Sequence, residues 1–188
     1  MKIVIIDNKD SFTYNLSELC NKIMKKKPSI RSINNFNLDE IARFDKIIFS
    51  PGPDLPQKND PMWQILDKYK SSKSILGICL GMQAIALYFG ANLFNLGNVQ
   101  HGKICDVKVC DNSEILFSKT GLDFRAGLYH SWAVSQDLPD DLEATSFSEN
   151  NILMSLSHKS YNIKGLQFHP ESYMTPYGQK IFENWLNN

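Results

Sequence analysis

Residues Ser74-Ile75-Leu76-Gly77-Ile78-Cys79-Leu80-Gly81-Met82-Gln83-Ala84-Ile85-Ala86-Leu87-Tyr88-Phe89 decide the fold. Ser74 to Ile78 is an apolar run with the length of a buried strand, and Leu80 to Phe89 carries Leu80, Ala84, Leu87 and Tyr88 at helical spacing. Cys79 therefore stands on the turn between strand and helix. A turn this sharp strains the residue at its apex and crowds the neighbours, so residues without a β-carbon are favoured on both sides. Gly77 and Gly81 meet that demand, and Gly77-Ile78-Cys79-Leu80-Gly81 reads as a nucleophile elbow with cysteine at its apex. The first helical turn aims free amides at the sulfur, and such amides can hold an oxyanion. Against this stands the ordinary behaviour of free cysteine, which is that of a small buried hydrophobe.

The flanking chain alternates β and α. Strands are predicted at Ile3 to Ile6, Ile30 to Ile33 and Lys46 to Phe49, with helices at Thr13 to Met24, Leu38 to Ala42 and Pro61 to Tyr69. Repeated β-then-α units imply a parallel sheet covered by helices on both faces. After Gly90 come short β-prone pieces at Ile104 to Val109, Phe124 to Leu128, Leu142 to Phe147, Ile152 to Leu156 and Ile163 to Phe168. A closing helix is predicted at Pro176 to Leu186. The expected architecture is α/β: an open, mostly parallel sheet with helices on both faces plus a small antiparallel β portion, in one domain over residues 1–188.

Composition removes several function classes. Lys plus Arg and Asp plus Glu each total 20, so there is no global basic field for nucleic acid or anionic lipid. Lys25-Lys26-Lys27 follows a helical segment and complements its C-terminus. The N-terminus lacks a long apolar h-region and no stretch approaches a membrane span, which leaves the cytoplasm as the expected compartment. Cys20, Cys79, Cys105 and Cys110 show no paired spacing, in keeping with a reducing environment. His101, His130, His158 and His169 are scattered, so no metal site is expected.

A thiol nucleophile needs a base, and the base an orienter. Gly165-Leu166-Gln167-Phe168-His169-Pro170-Glu171 offers both after the last predicted strand. In extended chain, positions two apart share a face, so His169 and Glu171 can act together while Pro170 stiffens the link. An ordinary surface loop would also explain them. Ser50-Pro51-Gly52-Pro53 is a rigid turn whose Gly52 amide could join that of Leu80 as an oxyanion donor, or simply a Pro-Gly loop. Gln83, four residues past Cys79, lies on the same helix face and could bind a polar substrate group, or be a surface glutamine. Helix capping suffices for Asp7 to Thr13, and Tyr129-His130-Ser131-Trp132 could be a hairpin corner ending a strand.

Taken together, Asp7 to Leu16, Ser50 to Pro53, Gly77 to Gln83, His101-Gly102-Lys103, Tyr129-His130-Ser131 and Gln167 to Ser172 resemble the class I glutamine amidotransferases over nearly the whole chain. The opening Asp7-Asn8-Lys9-Asp10-Ser11-Phe12-Thr13-Tyr14-Asn15-Leu16 and the His-Gly-Lys and Tyr-His-Ser segments look like the small subunits of anthranilate synthase or aminodeoxychorismate (para-aminobenzoate) synthase. The resemblance implies a flavodoxin-like fold. It also implies that Cys79 attacks the carboxamide of L-glutamine, that the Leu80 and Gly52 amides hold the oxyanion, and that His169, oriented by Glu171, moves protons. Gly52, Gln83 and the main chain at Ser131 and Trp132 would hold the substrate. Ammonia would pass to chorismate on a larger partner subunit, which would own any metal, so no cofactor is assigned to this chain.

The sequence departs from the family pattern at Asp54, where glycine is usual, at Met82, where histidine is frequent, at Leu128, where arginine commonly precedes Tyr-His-Ser, and at Ile104-Cys105, where Thr-Ser is usual. A positive φ would cost Asp54 more than glycine. Met82, Leu128 and Ile104 are expected to alter the partner-facing rim or substrate affinity. Three readings follow: an ammonia-supplying subunit, with the anthranilate branch ahead of the para-aminobenzoate branch; a stand-alone γ-glutamyl hydrolase or peptidase; and a catalytically silent regulatory subunit.

Overall fold

A computed structural model describes residues 1–57 and 60–188. In chain order the strands are β1 (Ile3–Asp7), β2 (Ser29–Ser32), β3 (Lys46–Phe49), β4 (Ser74–Ile78), β5 (Leu93–Val109), β6 (Asp123–Val134), β7 (Leu142–Ser148), β8 (Leu153–His158) and β9 (Ile163–Leu166). The helices are α1 (Phe12–Met24), α2 (Pro61–Tyr69), α3 (Leu80–Tyr88) and α4 (Gly178–Asn187). Among the described residues these nine strands form one sheet in the order β2-β1-β3-β4-β9-β8-β7-β5-β6. Pairing is parallel from β2 to β9 and antiparallel from β9 to β6. The antiparallel portion is thus as extensive as the parallel one and continuous with it.

Alternation along β1 sorts the core. Ile3 and Ile5 face a layer built with Leu16 and Cys20 of α1 and Ile181, Phe182 and Trp185 of α4. Val4 and Ile6 face the opposite layer, made with Met62, Ile65 and Leu66 of α2 and the buried face of α3. Helices therefore cover both faces of the parallel half, as βαβ crossovers require. Local chemistry sets their ends. Asp60 accepts a hydrogen bond from Met62 N at 2.9 Å with Pro61 in the first helical position. α1 stops where Lys25 turns left-handed at φ +56°.

The boundaries predicted for β3, α2 and β4 match the structure, but the antiparallel half is longer than expected. β5 begins at Leu93, and only Val107 to Val109 pair with β7. Most of its length pairs with β6 alone, so β5 and β6 form a ribbon extending beyond the sheet. Tyr129 to Trp132 lie inside β6, which runs on to Val134, and are no hairpin corner. The expected helix at Leu38 to Ala42 is a 3-10 turn over Glu40–Arg43.

The β4–α3 elbow is held by close backbone packing. A β-carbon on Gly77 would stand 2.5 Å from the carbonyl of Gly81, and one on Gly81 would stand 2.7 Å from Phe49 Cβ and closer still to the Phe49 carbonyl oxygen. Because these neighbours are backbone and buried core, neither substitution can be absorbed by rotating a side chain. Gly81→Ala is expected to lower unfolding free energy by about 1–3 kcal/mol, as overpacking of a filled core does, read as a lower urea midpoint at unchanged slope. A midpoint equal to wild type would mean that α3 can shift away from β3 freely.

Candidate active site

The carboxyl ends of β1, β3, β4 and β9 lie side by side in the sheet. The segments leaving them bring Asn8, Gly52, Cys79 and His169 to a single cleft of about 1000 Å³, the edge where open α/β sheets hold ligands. Val99 and His101 of β5 and Tyr129 to Trp132 of β6 line it from the ribbon side.

Cys79 occupies the elbow with φ +52° and ψ −106°, a backbone that a residue with a β-carbon adopts only when its surroundings enforce it. The enforcement is visible: Cys79 N donates to Leu166 O at 2.7 Å, and Cys79 O accepts from Gln83 N at 3.1 Å. Leu80, as the first residue of α3, has no carbonyl one turn back for its amide.

His169 is 1% exposed. Its Nδ1 lies 2.7 Å from Glu171 Oε1, and the Glu171 side chain is fully buried. The sequence suggested extended chain here, but Ser172 N donates to His169 O at 3.2 Å and closes a turn with Pro170 and Glu171 at its centre. Glu171 therefore folds back onto the preceding histidine. Thr175 Oγ1 also donates to His169 O at 2.7 Å, and His169 N donates to Gly127 O at 3.2 Å, which moors the turn to β6. The rings of Phe12 and Tyr129 pack edge-on against the imidazole at 4.9 and 4.8 Å. Burial alone would lower the pKa of His169, but the Glu171 carboxylate and the Cys79 sulfur outweigh it and push it up to about 10. With Nδ1 committed to Glu171, the sulfur acts on the Nε2 side, where no other polar group takes that nitrogen's hydrogen bond.

His130 has the opposite character. Burial depresses its pKa to about 4, and the neighbouring charge of His169 adds to that, against the opposing pull of Trp132 O. Its Nδ1 lies 2.8 Å from the Trp132 carbonyl oxygen, which can only accept, so Nδ1 carries the proton. The same carbonyl accepts from Gln83 Nε2 at 2.9 Å, so both its lone pairs are engaged. Gln83 Nε2 also reaches Gln167 Oε1 at 3.1 Å, which leaves Oε1 of Gln83 as the part of its amide a ligand can meet. Opposite Ser131 the β5–β6 register shifts between Asn95 and Gln100, so the Ser131 main chain is left out of the ladder.

Gln167 is a site residue the motif reading passed over. It is fully buried, and its Nε2 donates to Cys79 Sγ at 3.6 Å, completing a chain from Trp132 O through Gln83 and Gln167 to the sulfur. The alternation that paired His169 with Glu171 extends back to Gln167, and that was the available signal. Asp7 to Thr13 does more than cap a helix. Asp7 Oδ1 accepts from Lys9 N, Asp10 N and Thr13 Oγ1, Asp10 Oδ1 accepts from Phe12 N at 2.8 Å, and Ser11 makes no capping bond.

Two of the sequence departures move inward. Met82 is fully buried against Gly165 and Leu128 is buried in the α1–α4 layer, so neither is on the rim, whereas Ile104 is 45% exposed. Asp54 is not among the residues with positive φ and bears no left-handed strain. Among the described residues, no group of three or more His, Cys, Asp or Glu is placed to hold a metal ion, and no helix is long and apolar enough to cross a membrane.

Known proteins resemble this chain over nearly its full length. The family model described as glutamine amidotransferase class-I matches residues 4–188. A Haemophilus influenzae protein described as an anthranilate synthase component II is 42% identical over 99% of this chain and 96% of its own length. The anthranilate synthase component 2 of Saccharolobus solfataricus is 39% identical over 98% of this chain and 97% of its own. A solved structure from Thermoplasma acidophilum, described as a GMP synthase component, superposes with a TM-score of 0.84 at 26% identity, covering 100% of this chain and 92% of that one.

The two cleft histidines should differ in charge near neutrality, His169 cationic and His130 neutral. Ring-nitrogen NMR is expected to find His169 cationic until about pH 10 and His130 neutral down to about pH 4. The raised His169 pKa contributes stability in full below 6.5, which is lost as pH rises through 10. The depressed His130 pKa removes stability as pH falls from 6.5 towards 4, because the unfolded chain takes up the proton first. Glu171→Gln is expected to bring the His169 titration down. A wild-type His169 that titrates near 6.5 would contradict the assignment.

Proposed function

Because the chain belongs to the class I glutamine amidotransferase family, we propose that it hydrolyses L-glutamine through Cys79, His169 and Glu171 and delivers the ammonia to a larger chorismate-using synthase subunit. The observation that carries this reading is the strained elbow of Cys79 set against an imidazole that Glu171 keeps charged at 2.7 Å. Cys79 Sγ forms a bond to the side-chain carbonyl carbon of glutamine, and the carbonyl electrons move onto oxygen. The Gly52 and Leu80 amides receive that oxyanion. His169 Nε2 gives a proton to the departing nitrogen, the C–N bond breaks, and ammonia leaves a thioester behind. Water then adds to the thioester, losing its proton to His169, and the C–S bond breaks to release glutamate and return the thiolate beside a charged imidazole, the pair with which the cycle began. Glu171 fixes the imidazole and stabilises its charged form. Gln83 Oε1 and the unpaired main chain at Ser131 are offered to the amino-acid end. At Trp132 only the N–H remains for substrate, since its carbonyl is doubly occupied.

Two observations favour a partnered subunit over a stand-alone hydrolase. The cleft of about 1000 Å³ stands at the upper end for small-ligand sites and leaves room beyond one amino acid. The relatives' names point to anthranilate synthesis, with aminodeoxychorismate synthesis as the alternative branch. Four free cysteines suit a reducing cytoplasm.

Glutamate release from glutamine by the purified chain, alone and with chorismate-using large subunits, tests this directly. Cys79→Ala is expected to reduce turnover at least about 10³-fold, as loss of a nucleophile does. Partner-dependent turnover with anthranilate as product supports the leading branch, and aminodeoxychorismate selects the other. Full turnover without any partner would favour the hydrolase, and none with any partner the silent subunit.

A further inference from the structure

Outside the residues already given roles, the segment between β1 and α1 makes an unusual set of contacts with the turn that follows β3. Asn8 is 8% exposed and Ser50 is fully buried. Asn8 N donates to Ser50 Oγ at 2.9 Å, and Asn8 Nδ2 donates to Ser50 O at 2.8 Å. Ser50 Oγ, having accepted one bond, spends its own proton on the Pro51 carbonyl oxygen at 2.8 Å.

The consequence follows from peptide geometry. The Pro51 carbonyl and the Gly52 N–H belong to one planar trans peptide and point in opposite directions. Anchoring that carbonyl on Ser50 turns the Gly52 N–H away from Ser50. Rotation of the peptide by half a turn would present a carbonyl where a donor is needed, and an oxyanion site would become a repulsive one. Asn8 and Leu80 also flank the α-carbon of Gly52, because a β-carbon there would lie 2.9 Å from Asn8 Cβ and 3.2 Å from the Leu80 methyls. We propose that Asn8 and Ser50 are positioning residues that lock the Pro51–Gly52 peptide with its N–H turned to the cleft, so that the oxyanion donor is preset before glutamine binds. This rests on the glutaminase reading of the cleft.

Neither residue touches the reacting atoms, so their effect is specific. It falls on the transition state, where the oxyanion forms, and spares both substrate binding and the reactivity of the sulfur. Asn8→Ala keeps the β-carbon beside Gly52 and removes only the amide, and Ser50→Ala removes only the hydroxyl. Both variants are measured in a Cys110→Ser background, since Cys110 is the exposed thiol. Each is expected to lower kcat for glutamate release about 10–100-fold, somewhat less than outright loss of an oxyanion donor. KM and the rate of Cys79 alkylation by iodoacetamide should stay within about two-fold, and the double variant should cost little more than the worse single one, because both act through one peptide. Unchanged kcat would overturn the proposal. So would a parallel fall in kcat and alkylation, since that would mark a structural role for the pair. Wild-type turnover that survives Cys79→Ala would instead overturn the reading of the cleft, and the brace with it.

Discussion

The close approach of the α3 backbone to β3 and β4 is the constraint on which the site depends. With no side chain at Gly77 or Gly81, the first turn of α3 settles onto the Phe49 carbonyl and the end of β4. The chain has one residue in which to reverse from strand to helix, and Cys79 takes up the difference at φ +52°. Strain of this kind costs about 1–3 kcal/mol and persists only where the surroundings over-determine it. Here they do so through the Leu166 and Gln83 hydrogen bonds and the two buried layers on either side of the sheet. The sulfur is consequently lifted to the carboxyl edge, where the loops after β1, β3 and β9 can reach it.

The centre of the parallel half is readable because β1, β3 and β4 are buried on both faces and appear as apolar runs between turn residues. The ribbon is not. From Asn95 to Lys103 the chain is polar and glycine-containing, with Gly97 and Gly102 at positive φ, and alternation is broken by two register shifts. Such a segment looks like a loop from its own residues, because what makes it a strand is pairing with β6, a contact distant in sequence. The same limit applied to the cleft. Cys79 and the His169–Glu171 pair are local patterns and were legible, although the turn that joins His169 to Glu171 comes from mooring by Gly127 and Thr175. For Gln167 the sequence carries only its alternation with His169, and its hydrogen bond to Cys79 Sγ arises because β9 lies beside β4.

Two imidazoles in one cleft are driven to opposite states by their partners. His169 has a buried carboxylate and a sulfur to offset the cost of burying its charge. His130 has only a carbonyl, so burial keeps it neutral. A buried ion pair is weak evidence for stability, since desolvation consumes much of the attraction. Glu171 Oε2 and His130 Nε2 are buried with no hydrogen-bond partner among the described residues, whereas His169 Nε2 faces the Cys79 sulfur.

The two halves of the sheet contribute different parts of the site. The reactive groups hang from four adjacent parallel strands packed on both faces, where sub-ångström placement can be kept. The groups left for the amino-acid end, chiefly the Ser131 main chain, lie on a ribbon tied to the rest of the sheet by three residue pairs. That ribbon is moored in turn, since Phe124, Ala126 and Leu128 are buried in the core and Gly127 O accepts from His169 N. The chain Trp132–Gln83–Gln167–Cys79 links the two by hydrogen bonds, so a shift of β6 at Trp132 would be felt at the sulfur through a side-chain amide relay while the backbone of the elbow stays fixed.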